Sequence, residues 1–215
     1  MWQRLHPLPA PLGTVAGWCL VLALIAGGIA MMLPRIVRPA SIVLGAVFGL
    51  YVLACAGTII GAPGQPGGYI DGFEQLAIVC GALAVYAASE SDTGRARALG
   101  RAARVGLGVC AVSFAWAQVV YLQYTASLVP AWIPPNQVFW TNVTTVAFAL
   151  AAVSMLVHRQ ARLAMRLLAV MTALFGVLVW IPMIAAHPTT LANWSEISEN
   201  YLIAAAAWLM ANVDS

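Results

Sequence analysis

The chain has 215 residues, 62% of them hydrophobic and 8% charged, with a formal net charge of +3. A water-soluble domain carries about a quarter charged residues, so this composition excludes one. A small excess of arginine spread along an apolar chain also excludes a basic surface for nucleic acid.

Apolar runs of roughly 20 residues, each enough to cross about 30 Å of hydrocarbon, recur along the chain. They fall at 14–33, 39–61, 71–88, 103–124, 137–157, 163–186 and 196–213. Period-two alternation is absent and Ala, Leu, Gly and Val dominate, which argues against a transmembrane barrel. The expected class is all-α, a polytopic bundle of seven transmembrane helices. The first residues, "MWQRLHPLPAPLG", are too rich in proline for a cleavable signal peptide, and no small-residue cleavage site follows the first run.

All ten basic residues are arginine. Arg35 and Arg38 separate runs one and two; Arg95, Arg97, Arg101 and Arg104 separate three and four; Arg159, Arg162 and Arg166 separate five and six. Only Arg4 falls on the opposite side. Arginine beside a short loop holds that loop in the cytoplasm. The expected location is therefore a bacterial inner membrane, with the N-terminus outside and the C-terminus inside. The inner arginines are expected to meet lipid phosphates or a cytoplasmic partner. The connector "TASLVPAWIPPN" (125–136) lies outside and needs no retention charge, and its tryptophan and prolines suit a segment resting at the interface.

Shifting the sequence by 125 positions superposes run one on five, two on six and three on seven. Pro63 then falls on Pro188, Tyr69 on Trp194, Asp71 on Glu196, Glu74 on Glu199, Gln75 on Asn200, and Pro9 on Pro134. This predicts an incomplete parallel tandem repeat of three plus four helices. Residues 1–90 form a first copy without its leading helix, 91–104 a cytoplasmic arginine-rich linker, and 105–215 a complete second copy. Either the leading helix was lost, or the natural start lies upstream.

The acidic pairs Asp71/Glu74 and Glu196/Glu199 are spaced i, i+3 and share a helix face. One reading is compensation of the helix dipole at outer N-terminal turns, with Asn193 and Glu196 as a loose capping box. The other makes Glu74 and Glu199, deepest in their runs, binders of a proton or a quinone hydroxyl, since intramembrane carboxylates face cavities or polar partners. Gln118, Tyr121 and Thr125 lie toward the outer end of run four, Asn142 and Thr145 in run five, and Trp180 and Pro182 in the outer half of run six. Pro182 is expected to kink its helix by freeing the Leu178 carbonyl. Together these groups sketch an outward-facing polar pocket walled by Glu74, Glu199 and Asn200 and capped by Pro130, Trp132 and Pro134. Ordinary interhelical hydrogen bonding is the alternative.

Cys19, Cys55, Cys80 and Cys110 occupy the first four runs without a CxxC, and His6, His158 and His187 fall on connectors. The expectation is buried apolar cysteines, no metal site and no haem ligation, although Cys19 and Cys55 share the outer half of the membrane. Gly45 and Gly49 fit the small-xxx-small pattern of close helix packing, either internal or at a homo-oligomer seam.

The segments "QVVYLQYTASLVPAWIPPNQVFWTNVTTVAF" and "ARLAMRLLAVMTALFGVLVWIPMIAAHPTTLANWSEIS" resemble the DoxX-like family of small bacterial membrane proteins. The resemblance rests on "VPAWIPP", the aromatic pair Phe139 and Trp140, the arginine-led helix after it and the Pro188–Trp194 connector. It implies a four-helix membrane bundle, and some relatives are membrane subunits of thiosulfate:quinone oxidoreductases. Relatives often carry a polar or acidic residue where this chain reads Thr144, Thr145, Val146, Ala147. The resemblance therefore implies a membrane subunit or anchor of a quinone-linked redox system, with quinone as ligand and a soluble oxidoreductase as partner. The pocket implies instead a binder or transporter of a small molecule or lipid; a ligand-free scaffold is the third reading. The chain shows no cofactor site of its own, which leaves catalysis open.

Overall fold

The computed structural model describes residues 12–62, 64 and 66–213. Arg4, His6, Pro9 and Pro63 lie outside the described residues. The helices are α1 (Leu12–Met31), α2 (Val37–Gly61), α3 (Pro66–Ala88), α4 (Thr93–Val120), α5 (Leu122–Leu128), α6 (Gln137–Leu156), α7 (Ala161–Phe175), α8 (Ile181–Ala186) and α9 (Leu191–Val213). A π-helical turn, Gly176–Trp180, joins α7 to α8. An all-helical fold is the expected response to this composition, because a helix satisfies its own backbone where water cannot.

Five stretches are long and apolar enough to cross a membrane: α2, α3, α4, α6 and the continuous Ala161–Ala186 unit. In α1 the apolar stretch is the shorter Val21–Met31. Helix α9 has the length, but Ser195, Glu196, Ser198, Glu199 and Asn200 dilute its apolar character. Leu50, Leu53, Val146, Leu150 and Leu163 are more than half exposed, which suits a surface solvated by lipid tails.

Helix α3 packs on α4, α4 on α6, α6 on α7, α7 on α9, and α9 back on α3, which closes a ring of five. Helix α2 lies on α3 and α1 on α2, outside that ring. Small side chains make the closure possible. A Cβ placed on Gly81 of α3 would sit 2.5 Å from Ala206 Cβ of α9, a separation carbon atoms do not tolerate. The glycine pair singled out in the sequence behaves differently: a Cβ on Gly45 would meet Ala82 at an ordinary 3.5 Å, and one on Gly49 would meet nothing within 4 Å. Close approach between α3 and α9 thus runs through Gly81.

Helices α3 and α9 begin at Pro66 and Leu191, five residues before Asp71 and Glu196, and neither has an acid in its first turn. The dipole-compensation reading of these acids is therefore incorrect. The capping box is incorrect too, because Asn193 lies inside α9 with its Nδ2 donating to the Met183 carbonyl at 3.2 Å. Upstream prolines and glycines read as connector, yet proline in a first turn gives up only a donor the helix leaves unpaired.

At the opposite end, Arg38 donates to Glu90 Oε2 at 2.9 Å and to Tyr86 Oη at 3.0 Å, with its guanidinium 4.9 Å from the Tyr86 ring centre. Arg95 Nε lies 3.6 Å from the same Glu90 oxygen. Arg38 and Arg95 are thus engaged by a protein carboxylate, which the expectation of lipid or partner contacts overlooked.

Asp92 caps α4: its Oδ1 accepts from the N–H groups of Arg95 at 2.9 Å and Gly94 at 2.8 Å. These bonds favour the carboxylate and hold its pKa below the ordinary aspartate value. A lowered folded-state pKa stabilises above the unfolded value, about 4, and that contribution is lost as pH falls through the folded value. Thermal unfolding in detergent at stepped pH should show Asp92→Ala less stable than wild type at neutral pH, with the gap closing in acid. In the same assay Gly81→Ala should lose about 1–3 kcal/mol to overpacking. Gly49→Ala should match or exceed wild type.

Candidate functional site

The ring of five helices encloses a cavity of about 1030 Å³. Helix α3 presents Gly67, Ile70, Asp71 and Glu74 to it, and α9 presents Glu196, Glu199, Asn200 and Ile203. Both sets follow the i, i+3, i+4, i+7 spacing of one helix face. The four acids of the two sequence pairs therefore meet in one space, brought together by the α3–α9 crossing at Gly81.

Glu199 is held in place: its Oε1 accepts from Ser195 Oγ at 3.0 Å, and Gln75 of α3 donates to it from across the seam. Asn200 Nδ2 donates to the Glu196 carbonyl at 2.8 Å, a bond within its own helix. Glu74 has no hydrogen-bond or ion-pair partner among the described residues. Arginine, lysine and histidine are missing from the described lining.

Helix α4 ends at Tyr121, where α5 begins, and Gln118 lies in its last turn. The Gln118 Oε1 accepts from Thr144 Oγ1 at 2.9 Å and Thr145 Oγ1 at 2.8 Å. This orientation aims the amide nitrogen away from α6. Gln118 and Thr144 line the cavity, whereas Thr145 reaches it only through Gln118.

The 129–136 loop closes one side. Pro130 and Ile133 line the cavity, while Trp132 is 75% exposed and turned away from it. Pro134 acts through its backbone: its carbonyl accepts from Trp140 Nε1 at 2.9 Å, and Trp140 lines the cavity. The Pro188–Trp194 connector repeats the device, with Trp194 Nε1 donating to the Pro188 carbonyl at 2.9 Å. Gln137 Nε2 fastens the loop further by donating to the Val129 carbonyl.

Tyr121 and Trp180 also stand on the wall, Trp180 at the end of the π turn. That turn lies just before Pro182, where a proline removes one backbone donor; widening the helix locally accommodates the lost bond. Asn142 is outside the site, exposed on α6. The sequence gives too little weight to Asp71 and Glu196, and it does not assign Tyr124, Trp140, Phe148 or Met171 to the pocket, although they also line the cavity. The acids were legible from their spacing. The aromatic and aliphatic wall was not, because in an apolar chain such side chains line cavities and face lipid alike.

The described cysteines form no disulfide with one another: Cys19 is exposed, Cys55, Cys80 and Cys110 are buried, and Cys80 hydrogen-bonds to Cys110 across the α3–α4 contact. Among the described residues no three His, Cys, Asp or Glu side chains come together as metal ligands do. No family model matches the chain, and no curated protein or solved structure matches it.

The Gln118 contact generates a stability test. Thr144→Val or Thr145→Val alone leaves Gln118 one hydroxyl donor and should cost on the order of 0.6 kcal/mol. The double variant leaves a buried carbonyl without a donor and should cost about 1–3 kcal/mol, more than the sum of the singles. Equilibrium unfolding of the four proteins measures the difference.

Proposed function

We propose that this chain is a multi-pass inner-membrane protein that holds a small amphipathic molecule in the cavity, as a binding or transport protein. The observation that carries the reading is the cavity itself, about 1030 Å³ with carboxylates from both halves of the chain on one wall. A scaffold would fill its centre with interdigitated side chains at crystal-like density. Ligand sites are instead clefts of about 300–1,000 Å³, mostly apolar with a few convergent polar groups. This cavity has that size and that mixture.

Two further readings support the architecture. Shifted by 125 positions, α1 (Leu12–Met31) takes the bounds of α6 (Gln137–Leu156), and α3 (Pro66–Ala88) those of α9 (Leu191–Val213). Helix α2 takes the span of α7 through α8 to within a residue. This supports a tandem of three plus four helices, with α3 and α9 as equivalent members facing each other. The arginines at the inner connectors support the orientation with the cavity and its proline-rich loop on the outer side.

A quinone held by a redox membrane subunit is the second reading, in line with the DoxX-like resemblance. The observation that favours it is the Gln118 amide on an otherwise apolar wall, which could donate to a quinone carbonyl.

Mass spectrometry of the protein extracted in mild detergent tests both. A bound small molecule should survive extraction from wild type and be lost from Ala117→Trp, which fills the cavity from its α4 wall. A quinone mass would select the second reading. Equal retention by Ala117→Trp would place the ligand elsewhere, and no retained molecule in either protein would count against the binding function.

A further inference from the structure

We infer that the ligand of the cavity is a lipid, a long hydrocarbon chain with an oxygen-bearing head, that enters sideways from the bilayer between α6 and α7. This deepens the binding reading and rests on it. The order of the lining along the helices is the first argument. On α4, Gln118 stands toward the end closed by the 129–136 loop, and Phe114 lies one turn deeper. On α6, Thr141 and Thr144 come first and Phe148 follows. On α9, Glu196, Glu199 and Asn200 precede Ile203. Three helices thus change from polar to apolar in one direction, as a lipid does from head to tail.

The cavity is also long. Its α7 side runs from Leu167 to Trp180, about 20 Å at about 1.5 Å of rise per residue. That is roughly two-thirds of the hydrocarbon thickness, more than a compact solute needs and suited to an extended chain. At the head, Gln118 is only 8% exposed, its Oε1 accepts from Thr144 and Thr145, and its Nε2 has no partner among the described residues. A buried amide donor left unmade is costly, and an ester, ether or hydroxyl oxygen on the head satisfies it.

The route follows from the surface. Leu163, Leu167, Val170, Leu174 and Val177 of α7 and the segment after it are all exposed, a stripe at helical spacing that faces lipid. Val143, Val146, Leu150 and Val153 make the same stripe on α6. Leu167, Val170 and Leu174, at 60%, 50% and 47% exposure, and Val143 at 39%, also line the cavity, whereas Phe148 behind them is 5% exposed. The cavity therefore opens between the two stripes. A chain already in the bilayer passes through this gap and lies against Phe148, Met171 and Phe175.

The probe is a palmitoyl monoacylglycerol with a mid-chain diazirine, added to the full chain in nanodiscs of zwitterionic lipid, with labelled residues located by mass spectrometry. Unlabelled palmitoyl and butanoyl monoacylglycerols compete, each at a measured mole fraction in the nanodisc so that partitioning is removed. Labelling of Phe148, Met171 and Phe175 should saturate, and the palmitoyl competitor should displace it at a mole fraction at least about tenfold lower than the butanoyl. Gln118→Leu should weaken binding about 2–10-fold, the loss of one hydrogen bond. Val143→Trp or Leu174→Trp should cut labelling of the wall, and Leu150→Trp, on the same lipid face but away from the cavity, should not. Equal displacement by both competitors overturns the chain, and indifference to Gln118→Leu overturns the head contact. Wall labelling that never saturates, like that of Leu50 and Leu53 on α2, reduces the ligand to boundary lipid and overturns the inference. Indifference to both tryptophan variants at the gap overturns the route. If a variant fails to fold, saturation and chain-length preference in wild type still decide. An unlabelled wall overturns the inference, while the cavity reading stands or falls separately on the molecule retained in wild type and lost from Ala117→Trp.

Discussion

The close crossing of α3 and α9 is the constraint on which the rest of the structure depends. Gly81 against Ala206 lets two helices approach to a separation that one added methyl would forbid. The N-terminal halves of the same two helices carry Asp71, Glu74, Glu196 and Glu199, which line one cavity. Without a hydrophobic force between helices in lipid, van der Waals packing of small residues must supply the association. The same small residues that hold the ring together therefore also place its charges. Helix α2 packs on α3 from outside the ring.

The arrangement is costly by ordinary standards. Like charges on one apolar wall repel, and each carboxylate has given up part of its hydration. Packing alone gives no reason to keep them, since alanine or leucine would fill the same helix faces at lower cost. Intramembrane carboxylates persist where they meet a ligand, an ion or a proton path. The polar bonds nearby are consistent with a site kept in shape: Gln75 reaches across the seam to Glu199, Thr144 and Thr145 hold Gln118, and Trp140 ties the 129–136 loop to α6 through Pro134. Each bond fixes a wall element without filling the space between them.

Much of the fold was legible because its causes are local. Each apolar run is helical over most of its length, since run length and composition are properties of the segment itself. The spacing of the acids was legible for the same reason. Where the helices begin was not: Pro66 and Leu191 open α3 and α9 ahead of the apolar run, and this moved the acids from helix ends onto the wall. The partners of Arg38 and Arg95 were hidden because Glu90 reaches Arg38 across 52 positions of chain. Gly81 looked like any glycine in an alanine-rich helix until Ala206 appeared opposite. The π turn before Pro182 stood where a simple kink was expected. Asn142 and Trp132, both polar or interfacial by type, fell outside the cavity because the sequence does not say which way a helix face or loop side chain turns.

The claim that the acids of α3 and α9 face each other across one cavity is tested most directly by bridging them. In a background with the native cysteines replaced by alanine, Glu74→Cys and Glu199→Cys are combined and treated with a short bifunctional thiol reagent. A protease site inserted in the 91–104 connector makes the bridge visible, since bridged halves stay joined after cleavage. The account predicts efficient bridging for this pair and none for Glu74→Cys with Asn142→Cys, whose second site faces away. Two sites that each react singly but never bridge, or equal bridging by the Asn142 pair, would contradict it.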